Sequence, residues 1–215
     1  EENGGGIAGD QTGLLDGELI SFVSTAPGGG DSIGEGWSAS VPSSSIPLTG
    51  QPNTGSIRFG GGAGYIDLSN ANTLTLGSAF TIEFYMKPAT DIIIASLFGF
   101  SPSSGLSFIM ADISGDLVLR GTFDETFGDL IPATLVELGT WQHFALVMEP
   151  TEYTVYIDGQ QQYNGLIPSG GEGPYVFPGN VALGSRVIGG PTGTWRGYID
   201  EFRISDEALT PDQFL

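Results

Sequence analysis

The chain contains no cysteine, which removes disulfide frameworks, thiol nucleophiles, iron–sulfur clusters and zinc–thiolate sites. Basic residues are almost as scarce. Six lysines and arginines, of which only Lys87 is a lysine, stand against 25 aspartates and glutamates, for a net charge of -19 over 215 residues. So few cations cannot neutralise a phosphate backbone, and neither nucleic acid nor insertion into a membrane is expected. No apolar run approaches the roughly 18 residues of a membrane-spanning helix. The sequence opens at Glu1-Glu2-Asn3 with no basic and apolar leader, so any secretory signal is expected to have been removed already. With a single histidine, every imidazole role falls on His143.

What is present describes a folded β protein. Hydrophobic residues make up 40% and aromatics 11% against 14% charged, too apolar and too rich in rings for disorder. A chain of this length buries about 70% of its unfolded surface and needs no disulfide to hold its core. The 35 glycines and 13 prolines punctuate it into short segments. Residues 1–55 are rich in Gly, Ser, Pro and Thr, with one apolar stretch around Leu14-Leu15, Leu19-Ile20 and Phe22-Val23 that predicts one or two short strands.

From Ser56 onward the hydrophobic period is two. Phe80, Ile82, Phe84 and Met86 alternate with Thr81, Glu83, Tyr85 and Lys87, a pattern that predicts a strand with one buried face. Trp141–Met148 is apolar on both faces and predicts a central, doubly covered strand. Asp158-Gly159, between Tyr153–Ile157 and Gln160–Tyr163, predicts a type I′ hairpin, whose two central residues both need positive φ. Further strands are predicted over 56–59, 65–68, 92–98, 106–111, 116–120, 181–183 and 198–204. Thr210-Pro211-Asp212 marks a helix start, so at most one short C-terminal helix is expected. The chain reads as one domain over 1–215, with a loop-rich part at 1–55 and the main sandwich at 56–215.

Phe59-Gly60, Tyr65-Ile66-Asp67-Leu68, Phe80–Pro88, Trp141–Ala145, Tyr156-Ile157-Asp158-Gly159, Leu183-Gly184 and Gly197–Ile204, in that order and before Ala208-Leu209-Thr210, resemble the laminin-G-like jelly roll of the concanavalin A-like lectin and glucanase superfamily. The resemblance implies an all-β fold, a two-sheet antiparallel jelly-roll β-sandwich. It also implies an extracellular setting, secreted or at a cell surface, with roles in carbohydrate binding, protein binding and adhesion. Members of the family usually begin with an aromatic-bearing strand. Glu1–Gly5 resembles only the end of that element, so the chain is expected to be a piece of a larger protein or to leave a sheet edge open for self-association.

In related jelly rolls a structural calcium ties the N-terminal loop to the last strand, which the resemblance maps onto Asp200, with Asp10, Glu2 and a carbonyl at Gly60 as further oxygens. A sugar site needs an exposed aromatic beside Asp, Asn or Gln acceptors. Trp37 has no strand periodicity around it and is expected to be an exposed loop platform. Tyr163 and Tyr175 are read as loop aromatics, with Asn164 nearby as an acceptor. For each ring, burial over the sandwich is the competing reading. Asp112, Asp116 and Asp129 are read among the surface loop carboxylates.

No Glu-x-Asp-x-x-Glu strand or Gly-x-Ser-x-Gly elbow occurs, and Asp200-Glu201 are neighbours that a regular strand would point to opposite faces. His143 is expected to be a packed, hydrogen-bonded structural histidine. The expectation is therefore a non-catalytic recognition module for a glycan or an extracellular matrix or protein ligand, with a structural calcium. The alternatives are a subunit assembling through its open sheet edge, and a glycoside hydrolase or polysaccharide lyase.

Overall fold

The computed structural model describes residues 7–8, 17–20, 36–60, 64–67, 74–89, 94–100, 107–113, 116–123, 126–131, 136–167, 173–177, 181–184 and 195–215. In chain order the first strands are β1 (Ile7–Ala8), β2 (Gly17–Ile20), β3 (Gly36–Ser38), β4 (Ser56–Gly60), β5 (Tyr65–Asp67) and β6 (Leu74–Leu76). The middle of the chain supplies β7 (Phe80–Pro88), β8 (Ile94–Phe100), β9 (Ser107–Ile113), β10 (Asp116–Phe123) and β11 (Thr126–Ile131). The last are β12 (Gln142–Met148), β13 (Glu152–Ile157), β14 (Gln160–Leu166), β15 (Tyr175–Phe177), β16 (Val181–Leu183) and β17 (Arg196–Ser205), followed by a 3-10 turn at Pro211–Gln213.

All pairings are antiparallel. An eight-stranded sheet runs β1-β2-β5-β16-β8-β9-β10-β11, a seven-stranded sheet runs β14-β13-β12-β7-β17-β4-β3, and β15 pairs with β6. The core lies between the two large sheets. Phe59, Ile82, Phe84, Met86, Phe144, Leu146, Val155 and Ile199 from the seven-stranded sheet meet Ile66 and Leu183 from the other, with Trp195 fully buried among them. This is the two-layer jelly roll that the alternation in the sequence requires.

Local chemistry explains the regular parts. Asp158 and Gly159 both have positive φ, 50° and 70°, and turn β13 directly into β14 as a type I′ hairpin does. Thr210 N donates to Gln213 Oε1 at 2.9 Å, which fixes the start of the 3-10 turn.

The two-residue β1, paired with β2, stands at one edge of the eight-stranded sheet. Two expectations need correction. Asp112, Asp116 and Asp129 lie in β9, β10 and β11, not in loops. And β7 is not a half-exposed strand, because Thr81 and Glu83 on its outer face are as buried as its core side. The cause is the C-terminal segment. Residues 208–215 fold across the outer face of the seven-stranded sheet, where Leu209 and Phe214 form a second apolar cluster with Ala145 and Val147.

Candidate functional site

That outer face is the surface from which a site can be built, and the C-terminal segment divides it in two. In the sealed half, Thr81 Oγ1 donates to the Glu207 carbonyl at 2.9 Å and accepts from Leu209 N at 2.9 Å. Glu83 then collects donors from three elements: Leu215 N at 2.9 Å, Arg203 Nε at 2.5 Å and His143 Nε2 at 3.0 Å. Burial opposes ionisation of Glu83. The hydrogen bonds from His143, Leu215 and Arg203, with the charge of Arg203, outweigh it and hold the carboxyl below its ordinary value. Arg203 also donates to the Gln213 carbonyl at 2.8 Å, and Tyr85 Oη to the Leu215 carbonyl at 3.0 Å. Burial, then the charges of Asp158, Glu83, Glu201 and Asp200, pushes the Tyr85 phenol up, so it stays a neutral donor.

Past Tyr85 the C-terminal segment no longer covers the face among the described residues, and Arg58, Lys87, Trp141 and Tyr198 are each partly buried. Tyr198 on β17 lies directly between Arg58 on β4 and Lys87 on β7, three side chains abreast on one row. The Arg58 guanidinium carbon sits 5.8 Å from the Tyr198 ring centre and the Lys87 ammonium 5.4 Å, both within cation–π range. Trp141, just ahead of β12, extends the row, with its ring centre 5.9 Å from that of Tyr198. Exposed Arg196, two residues before Tyr198 on the same strand, adds a third cation to this face. The row is fixed from below by Gly197, whose φ of 137° and close approach to the Lys87 carbonyl leave no room for a Cβ.

Between the halves, β17 carries a bulge. Asp200 faces Tyr85 and Arg203 faces Glu83, so three steps on β17 oppose two on β7, and Glu201 takes the strain at a φ of 50°. Asp200 is 9% exposed, accepts from Asn53 Nδ2 at 2.9 Å through Oδ2 and from Glu201 N at 3.1 Å through Oδ1. Two buried polar atoms on this side have no hydrogen-bond partner: Asn53 Oδ1 and Trp141 Nε1.

The residues singled out from sequence are dispersed. Trp37 is not a loop platform: it lies in β3 opposite Ile57, and its ring packs partly buried against the core. Tyr163 is likewise on a strand, β14 opposite Val155, with its ring on the core side 5.8 Å from that of Tyr153. Asn164, next along β14, is on the outer face, donating to Thr154 Oγ1 at 3.0 Å and Glu152 Oε2 at 3.3 Å. Tyr175 lies in β15 opposite Leu76, again in a strand. His143 is the buried partner of Glu83.

The four-residue calcium set also separates. Gly60 is opposite Arg196, four residues along β17 from Asp200, a separation of roughly 13 Å at about 3.3 Å per residue. Ligands to one calcium sit about 2.3–2.6 Å from it, so Gly60 and Asp200 do not share a shell. Asp10 and Glu2 lie outside the described residues. Among the described residues no three His, Cys, Asp or Glu side chains converge. Asp200 has the amide nitrogen of Asn53 turned toward it, while the Asn53 oxygen is left without a hydrogen-bond partner; a calcium takes about six to eight oxygens.

Sequence reasoning missed Arg58, Lys87, Arg196, Tyr198 and Asn53. The signal was partial: Arg58, Lys87 and Tyr198 each occupy an outward position of an alternating strand, but only the order β7-β17-β4 brings them abreast.

No curated protein is close enough in sequence to match. Among solved structures, domain 4 of AbnA, an extracellular arabinanase from Geobacillus stearothermophilus, in complex with arabinotriose, is 19% identical with a TM-score of 0.59, over 93% of this chain and 90% of that one. The CBM40 of the Ruminococcus gnavus IT-sialidase, bound to α2,3-sialyllactose, is 19% identical with a TM-score of 0.56, over 74% of this chain and 94% of that one. A mutant Trypanosoma rangeli sialidase is 14% identical with a TM-score of 0.62, over 99% of this chain but 31% of that one. At these identities the likeness is one of fold. A family model, Laminin_G_3, matches residues 60–214, most of the chain, and with the two-sheet architecture it makes this protein a member of the concanavalin A-like lectin/glucanases superfamily.

Proposed function

We propose that this chain is a non-catalytic glycan-binding module of a secreted or cell-surface protein, and that it binds through the open half of the outer sheet face. One observation carries the reading: Tyr198, with Trp141 beside it, forms an aromatic row flanked by the donors Arg58 and Lys87, on a rigid central part of the sheet. An aromatic ring meets the apolar C–H face of a sugar, and flanking polar groups fix its hydroxyls. The fold neighbours support the class of ligand, since the CBM40 neighbour is described with sialyllactose and the AbnA domain with arabinotriose. The non-catalytic part is supported by Glu83 and His143, which are committed to each other beneath the C-terminal segment.

The proposal includes a structural calcium held by Asp200 and by Asn53 in place of Gly60. The support is the orphaned Asn53 Oδ1, a buried acceptor that costs about 1–3 kcal/mol when left unpaired. A cation there would supply no reaction step; it would fix the loop around Asn53 to β17.

Glycan-array binding by the purified chain, repeated with Tyr198→Ala, tests the reading. The expected result is selective binding that the substitution reduces at least tenfold with the melting temperature unchanged. Binding that survives Tyr198→Ala, or hydrolysis of a bound glycan that tracks with the purified protein, would displace it.

A further inference from the structure

We infer that this chain pairs with a second copy of itself along the free edge of β14, over residues 163–166, so that two seven-stranded sheets join into one. The inference stands on that edge and does not depend on the glycan-binding reading.

β14 ends the seven-stranded sheet, with β13 on one side and, among the described residues, no strand bonded to it on the other. β11, at the edge of the second sheet, comes near it without joining its ladder. The register fixes which groups point outward. Ile167 N donates to the Thr151 carbonyl at 2.9 Å, so Gly165 with Tyr153 and Tyr163 with Val155 are the hydrogen-bonded pairs of the β13–β14 ladder. The backbone N–H and C=O groups of Asn164 and Leu166 therefore point away from β13, and both residues are exposed, Leu166 at 78%. Proteins blunt such an edge with charge, proline or a bulge. Here the bulge sits only at the near end, where Gln162 is the extra residue and its Nε2 donates to the Gln160 carbonyl at 3.1 Å. Residues 163–166 carry no charge, no proline and no bulge.

A second copy fits this strip. A two-fold axis through Gly165 sets Asn164 against Leu166 of the second copy, outward groups to outward groups. It brings Gly165 against its own counterpart in a non-hydrogen-bonded position, where Cα atoms approach to about 4.5 Å. Glycine suits that approach, and the space its Cβ would fill is already taken by the rings of Tyr153 and Tyr163. Charge points the same way. A net charge of -19 makes two copies repel, so close approach costs least along a strip that carries none. Glu152, opposite Leu166 on β13, is held by Asn164 Nδ2 at 3.3 Å. In the joined sheet its counterpart lies three strands away, roughly 14 Å at about 4.8 Å per strand, beyond the Debye length of about 8 Å at physiological salt. The axis stands perpendicular to the sheet, so both outer faces turn to the same side, an arrangement that gives a repetitive surface ligand two points of attachment.

Sedimentation equilibrium of the full chain over a wide concentration range, at low and at high sodium chloride, tests the pairing. The expected result is a monomer–dimer equilibrium that stops at two and tightens with salt, because salt screens the repulsion. Leu166→Pro removes one outward N–H and no bond to β13, and Leu166→Glu puts a charge on the edge. Each is expected to weaken association at least tenfold with the melting temperature unchanged. Amide exchange at Asn164 and Leu166 should slow as the dimer fills. If Leu166→Pro lowers the melting temperature, Leu166→Glu and the exchange rates decide. A chain that stays monomeric at every concentration and salt overturns the inference and leaves the edge to another occupant. A dimer that both variants leave intact, or association that grows past two, overturns it as well.

Discussion

Glu83 on β7 stands directly opposite Arg203 on β17, and the pair is ion-bonded beneath the last residues of the chain. Glu83 also accepts from His143 and Leu215 N, so one buried carboxylate joins three strands and the C-terminal segment. Removing it strands a guanidinium and opens the sealed half. Glu83→Ala is expected to cost about 3–5 kcal/mol, read as a lower urea midpoint at neutral pH. A loss under about 1 kcal/mol would show that the network is incidental.

The same carboxylate sets an acid limb. In the fold its pKa is lowered from the ordinary 4.5, so as pH falls the unfolded chain takes up this proton first. Its contribution is therefore complete above about pH 4.5 and drains away below it as the native carboxyl titrates. Unfolding free energies measured between pH 7 and 3 should fall less steeply in Glu83→Gln than in the unaltered chain. Parallel slopes would contradict the assignment.

Gly197 underlies the row of Arg58, Tyr198 and Lys87. An added methyl at its φ of 137° would strike the Lys87 carbonyl, so Gly197→Ala is expected to destabilise by roughly 1–3 kcal/mol and to displace Lys87 from Tyr198. The check pairs a thermal melt with glycan affinity; both should drop together.

Trp37 and Tyr198 should respond in opposite ways. Trp37 packs against the core from an edge strand, so Trp37→Ala is expected to cost about 2–3 kcal/mol of stability and to leave affinity per folded molecule unchanged. Lost glycan affinity in a Trp37→Ala protein that melts normally would return the binding site to β3.

For calcium, added Ca²⁺ at millimolar concentration should raise the melting temperature, because a ligand bound only by the native state stabilises it. Asp200→Asn should abolish the rise. A melting temperature indifferent to Ca²⁺ and to chelator removes the ion from the proposal.

Much of the sandwich was readable because its central strands alternate cleanly between breakers. β7, β12, β13 and β17 lie where the period-two runs predicted them, and Asp158-Gly159 turns as its chemistry demands. β3 was not readable: three residues, Gly36-Trp37-Ser38, are too few to display a period. β14 was legible only as the second arm of the Asp158-Gly159 hairpin, because Gln160, Gln161, Gln162 and Asn164 give it little apolar content of its own, and Tyr163 was still read as a loop aromatic. Burial of Glu83 was hidden for another reason, since it depends on a segment 120 and more residues away. The candidate site shares that difficulty. Its members come from β4, β7, β17 and the approach to β12, and nothing local in the sequence states which strands are neighbours.

The extra residue at Glu201 separates two kinds of selective pressure along a single strand. On one side of it, replacements answer to folding; on the other, to whatever the module meets. On the proposed reading, variation at Arg58, Lys87 and Tyr198 retunes ligand preference across descendants of this chain while the clasp around Glu83 keeps the scaffold intact.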